Sequence, residues 1–278
     1  MKNIPRNVQP PGRECFGLVF RQARENILFI GTHHHPVQLT PKADLARLKE
    51  KVENLDRIYI EGSSRMHHQR NAHGELVNMD SVEWFAHAHH KGGSMFLDDL
   101  NTANRFELAK KYGLRPFAFA GLYASMGIVR MVELGMADAE EVHHATIRYL
   151  DTVRGWGEHF FPIKGSERAT DAAMEAAIMC QADYGSLSPL EALANHFGIF
   201  NGMVRDAEIY GPLMRDVVSK ADGKSGVVIG SKHIDNLLSA LEGRGIPVPS
   251  WPSYVEGMNE EVRAVLRKLV ESLTRIGI

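Results

Sequence analysis

The feature of this sequence that most restricts its fold is a pair of apolar runs, one near each end of the chain, that both lead into Gly-x-x-His. The first run begins at residue 27 and reaches its histidine at His34, and the second begins at residue 225 and reaches His233. Both runs are rich in β-branched or aromatic residues, which is typical of a strand buried on both faces. Because such strands occur in parallel sheets covered by helices, the pair predicts an α/β fold.

The segments that follow these runs have the spacing of amphipathic helices. Apolar residues recur at three- and four-residue steps from Pro41 to Leu55, which predicts a helix with Thr40 as its N-cap. This helix leads into a strand at 57–60 that stops at Glu61. The second run is likewise followed by a helix, and the chain closes on another amphipathic helix. The alternation of strands and helices favours right-handed crossovers within one sheet.

Shorter apolar runs predict three more strands. Residues 16–20 form one, joined to the strand at 27–30 by a hairpin through the polar residues 21–25. Residues 246–248 are predicted to be an edge strand, because proline removes a ladder donor. Residues 117–119 are the third. The predicted fold class is therefore α/β, with a small mixed β-sheet and flanking helices.

The middle of the chain, residues 65–200, has mostly helical character. It contains alanine- and methionine-rich stretches such as 172–182, and no repeat or Gly/Ser linker separates it from the two ends. The simplest account is a single α/β domain over residues 1–278, with 65–200 as a large helical insertion.

Composition and charge exclude several classes of partner. The net charge of −2 lacks the basic excess that nucleic acid or an anionic membrane would attract. The two cysteines, Cys15 and Cys180, are too few and too far apart for a disulfide framework or a thiolate zinc site. Residues 1–12 lack the apolar stretch of a secretory signal, and no apolar run reaches the roughly 20 residues that span a bilayer. We expect a cytoplasmic protein that acts on a small molecule or a peptide.

The ends of the predicted strands suggest a site. Ligands of an open α/β sheet bind at the carboxyl ends of its strands, where His34, Glu61 and His233 would converge if their strands are parallel neighbours. Two histidines and a carboxylate can hold a divalent metal that activates water. His33 or His35 could coordinate in place of His34. The alternative is that these histidines cap turns and Glu61 is solvated.

Four segments, in this order, resemble the TraB/Tiki superfamily, which includes erythromycin esterase-like and ChaN-like haem-uptake proteins. They are 26–34, which leads into Gly-Thr-x-His; 58–61, which ends in glutamate; Val-Arg-Asp at 204–206; and Val-Val-Ile-Gly-x-x-His within 226–248. The matching segments cover about two-fifths of the chain, and residues 65–200 show no match.

This resemblance implies roles for four residues. His34 and His233 would be the two motif histidines, Glu61 their acidic partner, and Arg205 an arginine that faces the pocket. Tiki-like members imply a peptidase using manganese or cobalt, and zinc is a further option for such a ligand set. Erythromycin esterase-like members imply a metal-free esterase with a histidine base, and ChaN-like members imply haem binding. One departure is Gly-Pro at 211–212, which predicts a break or kink after Arg205.

The leading prediction is a hydrolase of an amide or ester bond. A divalent metal at His34, Glu61 and His233 would activate water, with Glu61 as the general base if it is not a ligand. Arg205 would bind a substrate carboxylate or stabilise the oxyanion. The metal-free hydrolase, with His34 or His233 as base, stays open, as does a protein that only binds haem or another small ligand.

The histidines in the middle of the chain have a different interpretation. His87 and His90 lie three apart on a predicted helix, with His89 beside them, and such a pair could bind a metal or haem. The aromatic residues around them favour structural or solvated roles instead. Asp98 could add a carboxylate to the pocket, although the cap of an ordinary helix is the favoured interpretation.

Overall fold

A computed structural model describes residues 17–33, 37–62, 81–101, 104–155 and 166–275, of which 152–155 are described for the backbone alone. The chain divides into two compact units. We call Pro11–Thr102 together with Arg205–Pro247 the sheet unit. Met1–Pro10, Ala103–Val204 and Val248–Ile278 together are the helical unit.

The described residues of the sheet unit form a five-stranded mixed sheet in the order β1-β2-β5-β3-β4. The strands are β1 (Val19–Arg24), β2 (Ile27–Thr32), β3 (Arg57–Ile60), β4 (Ser94–Phe96) and β5 (Ser225–Gly230). β1 and β2 are antiparallel, whereas β2, β5, β3 and β4 are parallel to one another. The protein is thus α/β, as predicted from the apolar runs.

The helices carry the following bounds in chain order: α1 (Lys42–Glu53), α2 (Val82–His89), α3 (Arg105–Lys111), α4 (Pro116–Glu133), α5 (Ala139–Gly155), α6 (Ser166–Tyr184), α7 (Ser188–Arg205), α8 (Gly211–Asp216), α9 (Ile234–Leu241), α10 (Trp251–Glu256) and α11 (Glu260–Arg275). A π-helical turn (Asp206–Tyr210) joins α7 to α8. Single 3₁₀ turns occupy Val37–Leu39, Val218–Lys220 and Ser231–His233.

The central strand β5 aligns the carboxyl ends of its two neighbours. Thr32 at the end of β2 pairs with Gly230, and Ile60 at the end of β3 pairs with Val228. All six residues of β5 are buried, which is what a strand flanked on both sides and covered on both faces requires. The residues that follow β2, β3 and β5 therefore leave the sheet at one edge.

Three predictions for individual elements differ from the structure. The first strand begins at Val19, and its mostly exposed side chains continue to Arg24, so the hairpin turn is shorter than predicted. The predicted edge strand at 246–248 is wrong, because residues 244–250 have no regular structure. Prolines at 247 and 249 deny this segment the donors that a ladder needs. Pro41, not Thr40, occupies the N-cap position of the first helix, and its side chain makes no capping hydrogen bond.

The helical unit has a core of its own, formed chiefly by α4, α6, α7 and α11. The predicted strand at 117–119 is wrong, because these residues lie in α4. Pro116 is the first residue of this helix, a position at which proline is favoured. Close packing in this core depends on Gly121, where a Cβ would lie 2.7 Å from Leu273 of α11. The apolar stripe of the last helix thus packs on helices of this unit.

Residues 65–200, which the sequence predicts as one helical insertion, are divided between the two units. Those from 103 onward belong to the helical unit, together with the segment from Val248. Within the described part of the chain, no helix combines the length and the hydropathy that crossing a membrane requires.

Candidate functional site

Glu61 is held at the edge of the sheet by backbone groups of β5. Its N–H donates to the carbonyl of Val228 at 2.8 Å, which extends the β3–β5 pairing by one residue. Its Oε2 accepts the N–H of Gly230 at 2.7 Å. The residue is buried, 8% exposed. One carboxylate oxygen is therefore anchored, while Oε1 faces the side chains that follow.

His233 lies in the 3₁₀ turn after β5, where the chain enters α9. The ring is 1% exposed, and its Nδ1 lies 2.5 Å from Oδ1 of Asp206. The second oxygen of Asp206 accepts the side-chain N–H of Asn236 at 2.7 Å. Because an ionised carboxylate can only accept, Nδ1 carries the proton in this contact. In the neutral ring, Nε2 is then left with a lone pair.

The free ring nitrogen of His233 points at Glu61. Nε2 lies 3.5 Å from Oε1 of Glu61, and within the described residues it has no hydrogen-bond partner. A buried polar atom without a partner costs folding free energy, so its presence requires an explanation. A ligand, a water molecule or a metal ion at Nε2 would supply the missing contact.

Arg205, the last residue of α7, reaches the same group. Its guanidinium lies 3.0 Å from Oε1 of Glu61 and 3.8 Å from Oδ1 of Asp98. It also contacts the hydroxyl of Tyr210 and lies 4.7 Å from the centroid of that ring. The Tyr210 hydroxyl in turn donates to Asp98 at 3.1 Å. Arg205 thus brings a positive charge to two buried carboxylates, and it shares Oε1 of Glu61 with the His233 ring.

The π-helical turn explains how one short segment supplies three of these side chains. The N–H of Gly211 bonds to the carbonyl of Asp206, five residues back, and the chain continues into α8 with Pro212 in its first turn. The predicted break at 211–212 is therefore realised as a π-turn between helices. A Cβ at Gly211 would lie 2.7 Å from the Asp206 carbonyl oxygen, so only glycine fits there. Single π-turns of this kind are frequent at functional sites.

The structure brings together three of the four predicted site residues: Glu61, Arg205 and His233. His34 lies outside the described residues. The pairing of Thr32 with Gly230 shows that the strand leading to it is the parallel neighbour of β5. His33, an alternative candidate, is exposed, and His35 lies outside the described residues.

The sequence predicts no site role for Asp206, Tyr210 or Asn236, and it favours a different role for Asp98. Asp206 lies in the Val-Arg-Asp motif, and its position next to Arg205 is the sequence feature that points to it. The cap interpretation of Asp98 is wrong, because the next helix begins at Arg105 and is capped by Asn104. Tyr210 and Asn236 gave no signal, since their contacts depend on the π-turn and on α9.

The described side chains fit a divalent metal in part. The orphaned Nε2 of His233, with a carboxylate on Nδ1, is the arrangement common to metal-binding histidines. Its 3.5 Å separation from Glu61 Oε1 is near the roughly 3.3 Å that two ligands of a tetrahedral ion would have. The guanidinium of Arg205 already contacts Oε1 of Glu61 at 3.0 Å. Within the described residues no group of three His, Cys, Asp or Glu side chains could hold an ion, so a third ligand would have to come from elsewhere.

The histidines of α2 make contacts that account for them without a ligand. His90 is buried, and its ring nitrogens lie 2.9 Å from the Gly93 carbonyl and 3.1 Å from the Leu55 carbonyl. Nδ1 of His87 lies 2.8 Å from the Ser94 hydroxyl. The His89 ring packs on the Phe85 ring at a tilt of 58°, with the centroids 4.3 Å apart. The His87 contact ties α2 to β4, and the His90 contacts tie the end of α2 to the segments that precede β3 and β4.

A second buried carboxylate lies at the end of β2. The hydroxyl of Thr32 donates to Oε1 of Glu83 at 2.5 Å, and both residues are buried. Glu83 is in the first turn of α2, so this bond fixes the start of that helix beside the end of the strand.

Comparison of the chain with family models, with curated proteins and with solved structures found no match. The resemblance to the TraB/Tiki superfamily therefore stays a hypothesis that rests on the four motif segments.

Proposed function

We propose that this protein is a hydrolase of ester or amide bonds in which His233, oriented by Asp206, activates a water molecule beside Glu61 and Arg205. The observation that carries the proposal is the buried Nε2 of His233, which has no hydrogen-bond partner within the described residues. An Asp–His pair with a free ring nitrogen is the arrangement that general-base catalysis uses.

The chemistry needs only groups at the site. Nε2 of His233 takes a proton from water as the water oxygen bonds to the substrate carbonyl carbon. The electron pair of the C=O bond moves to oxygen, and Arg205 stabilises that oxyanion. When the intermediate collapses, the C–O or C–N bond of the leaving group breaks, and the leaving group takes the proton from Nε2. Asp206 holds the ring in place and stabilises the imidazolium that forms.

Glu61 positions the other two groups in this scheme. Its anchored Oε2 fixes the carboxylate, and Oε1 lies within 3.5 Å of His233 and 3.0 Å of Arg205. From there it can accept the second proton of the attacking water in a hydrogen bond. A substrate carbonyl would have to share Arg205 with this carboxylate.

A second candidate is the same hydrolysis with a divalent metal, manganese, cobalt or zinc. The spacing of His233 Nε2 and Glu61 Oε1 favours it. His34, Glu61 and His233 would hold the ion, which would supply Lewis-acid polarisation of the carbonyl and a more acidic water. Both candidates agree with membership of the TraB/Tiki superfamily, which is part of this proposal. No contact among the described residues supports haem binding.

The test is hydrolysis of a panel of activated esters and anilides by the purified protein and by His34→Ala, Glu61→Ala and His233→Ala. We expect each substitution to lower kcat, with His233→Ala the most severe. His143→Ala is the matched control, because that ring lies elsewhere and pairs with Asp171. Full activity in all three site variants would contradict the proposal. Dialysis against EDTA separates the candidates, because only the metal-dependent enzyme should lose activity and recover it with added ion.

A further inference from the structure

A cleft of about 390 Å³ opens in the sheet unit between the 3₁₀ turn at Val37–Leu39, the start of α1 and one face of α2. This volume is in the range of small-molecule sites. The side chains that line it are Val37, Gln38, Thr40, Lys42, Leu45, Trp84, Phe85 and Ala88.

The walls of the cleft are apolar and partly aromatic. Trp84 and Phe85 are half-buried on α2, and Val37 and Phe85 also pack on the apolar core of the sheet unit. Leu45 of α1 continues the apolar wall. Flat aromatic walls of this kind favour a ring or a branched alkyl group over a polar chain.

Lys42 is the one charged side chain among the described residues that line the cleft. Lys42 is exposed, and among the described residues no ion pair engages it. Among the described residues that line the cleft there is no acidic residue and no arginine. A single ammonium group beside an apolar wall matches a ligand with one anionic group, whereas a polyphosphate would require more positive charge.

The cleft wall is connected through α2 to the end of β2, the strand that leads to the proposed site. Trp84 directly follows Glu83, whose carboxylate accepts the Thr32 hydroxyl at the end of β2. Thr32 pairs with Gly230, the residue whose N–H binds Glu61. A substrate that reaches His233 could therefore extend its remaining part toward α2.

We infer that this cleft binds the non-reacting part of the substrate, and that this part is an aromatic or branched aliphatic group carrying one anionic substituent. Calling this ligand a substrate rests on the proposed hydrolase function. Its binding to the cleft can be tested without any turnover. The substrate class would be esters or amides of such amphiphilic monoanions.

The probes are a matched pair of dyes, the anion 8-anilino-1-naphthalenesulfonate and its neutral counterpart N-phenyl-1-naphthylamine, titrated by fluorescence. Ala88→Trp fills the cleft from an exposed position on α2, and we expect it to weaken the binding of both dyes about tenfold. The control is Ala182→Trp, an equal change at an exposed position of α6, which should bind both dyes as the wild type does. Equal binding by Ala88→Trp and Ala182→Trp would overturn the inference.

Lys42→Gln tests the charge. It should weaken the anionic dye about fivefold and leave the neutral dye unchanged, while Lys49→Gln on the same helix changes neither. A Lys42→Gln variant that binds the anion as tightly as the wild type would contradict the monoanion class.

The experiments distinguish a wrong inference about the cleft from a wrong proposal of hydrolase activity. His233→Ala should bind both dyes normally, since that ring is not in the lining. In the active wild type, the anionic dye should raise KM without changing kcat. Dye binding that leaves KM unchanged would show that the cleft is not a substrate subsite.

Discussion

At the scale of single residues, the position of the His233 ring depends on Asp206. This carboxylate is 2% exposed and accepts from both His233 and Asn236, so neither of its oxygens faces water. A buried carboxylate with two donors holds a ring in one orientation and one tautomer. Asp206 is therefore a positioning residue in the proposed reaction.

Asp206→Asn keeps the size of the side chain but exchanges one acceptor oxygen for a donor. We expect a fall in kcat of about 10²- to 10⁴-fold with KM nearly unchanged, because His233 would present the wrong tautomer. Steady-state kinetics measures this, with circular dichroism to confirm the fold. Asp235→Asn is the control, since Asp235 is 84% exposed and pairs with Arg21. A kcat like that of the wild type would remove the positioning role.

The cysteine in the helical unit illustrates a different effect of burial. Desolvation raises the pKa of the Cys180 thiol to about 11. At pH 8 only about one thiol in a thousand would be ionised, and the thiolate is the reactive form. In a Cys15→Ser background, we expect Cys180 to react with iodoacetamide at pH 8 only after addition of denaturant. Rapid labelling of the folded protein would contradict this.

The raised pKa of Cys180 also sets the direction of its effect on stability. The folded state favours the neutral thiol, so its contribution is complete below the ordinary thiol pKa of 9.0 and is lost as the pH rises toward 11.

At the scale of elements, the π-turn between α7 and α8 places Arg205, Asp206 and Tyr210 in one group. The turn depends on the absence of a side chain at Gly211, where a Cβ would lie 2.7 Å from the carbonyl oxygen of Asp206. This oxygen can move only if the backbone of the turn moves with it. An ordinary α-helix through this segment would rotate the later residues by about 100° and separate the three side chains.

Gly211→Ala should therefore destabilise the protein by about 1–3 kcal/mol and lower kcat, because the turn must shift Asp206. The matched control is Gly198→Ala in α7, where a Cβ meets nothing within 4 Å. That substitution should leave activity unchanged and stabilise the helix by about 0.5–1 kcal/mol. Urea unfolding and kcat measure the two effects. Equal behaviour of the two variants would show that the turn tolerates a side chain.

Helices α6 and α11 are joined by an acidic residue of α6. A hydrogen bond from Ser272 holds the pKa of Glu175 below its ordinary value of 4.5, and the cations Arg275 and Lys268 lower it further. The folded state thus favours the ionised form. Its contribution is present above pH 4.5 and is lost as the pH falls below it.

Glu175→Gln should lower the free energy of unfolding at pH 7, and the difference from the wild type should shrink as the pH falls below about 4.5. Chemical denaturation at a series of pH values measures this. A difference that is independent of pH would mean that the carboxylate contributes through packing alone.

At the same scale, the success of the sequence predictions depends on run length and on context. The strands at 57–60 and 225–230 have the predicted bounds, because short runs rich in β-branched residues that stop at a glycine or an acidic residue allow few alternatives. The run at 117–119 is too short to distinguish a strand from a buried helix, and Pro116 decided the outcome. The π-turn has no sequence signature beyond Gly-Pro.

At the scale of the whole molecule, the order of the strands assembles the site within the sheet unit. β5 comes late in the sequence yet lies between β2 and β3, so the residues after β3 and β5 meet although 171 residues lie between Glu61 and His233. Parallel neighbouring strands are the condition that the sequence sets for a shared site, and the structure meets that condition. The contacts of Asp206, Asp98 and Tyr210 could not be predicted from the sequence, because they depend on how α8 and α9 pack beside the sheet.

The central claim is that His233 and Asp206 act as one catalytic unit, and a double-mutant cycle in kcat tests it most directly. Ester hydrolysis is measured for His233→Ala, Asp206→Asn and the double variant. If the two side chains work together, the double variant should be no slower than His233→Ala alone. If the two losses multiply, or if His233→Ala hydrolyses the ester as fast as the wild type, the account is contradicted.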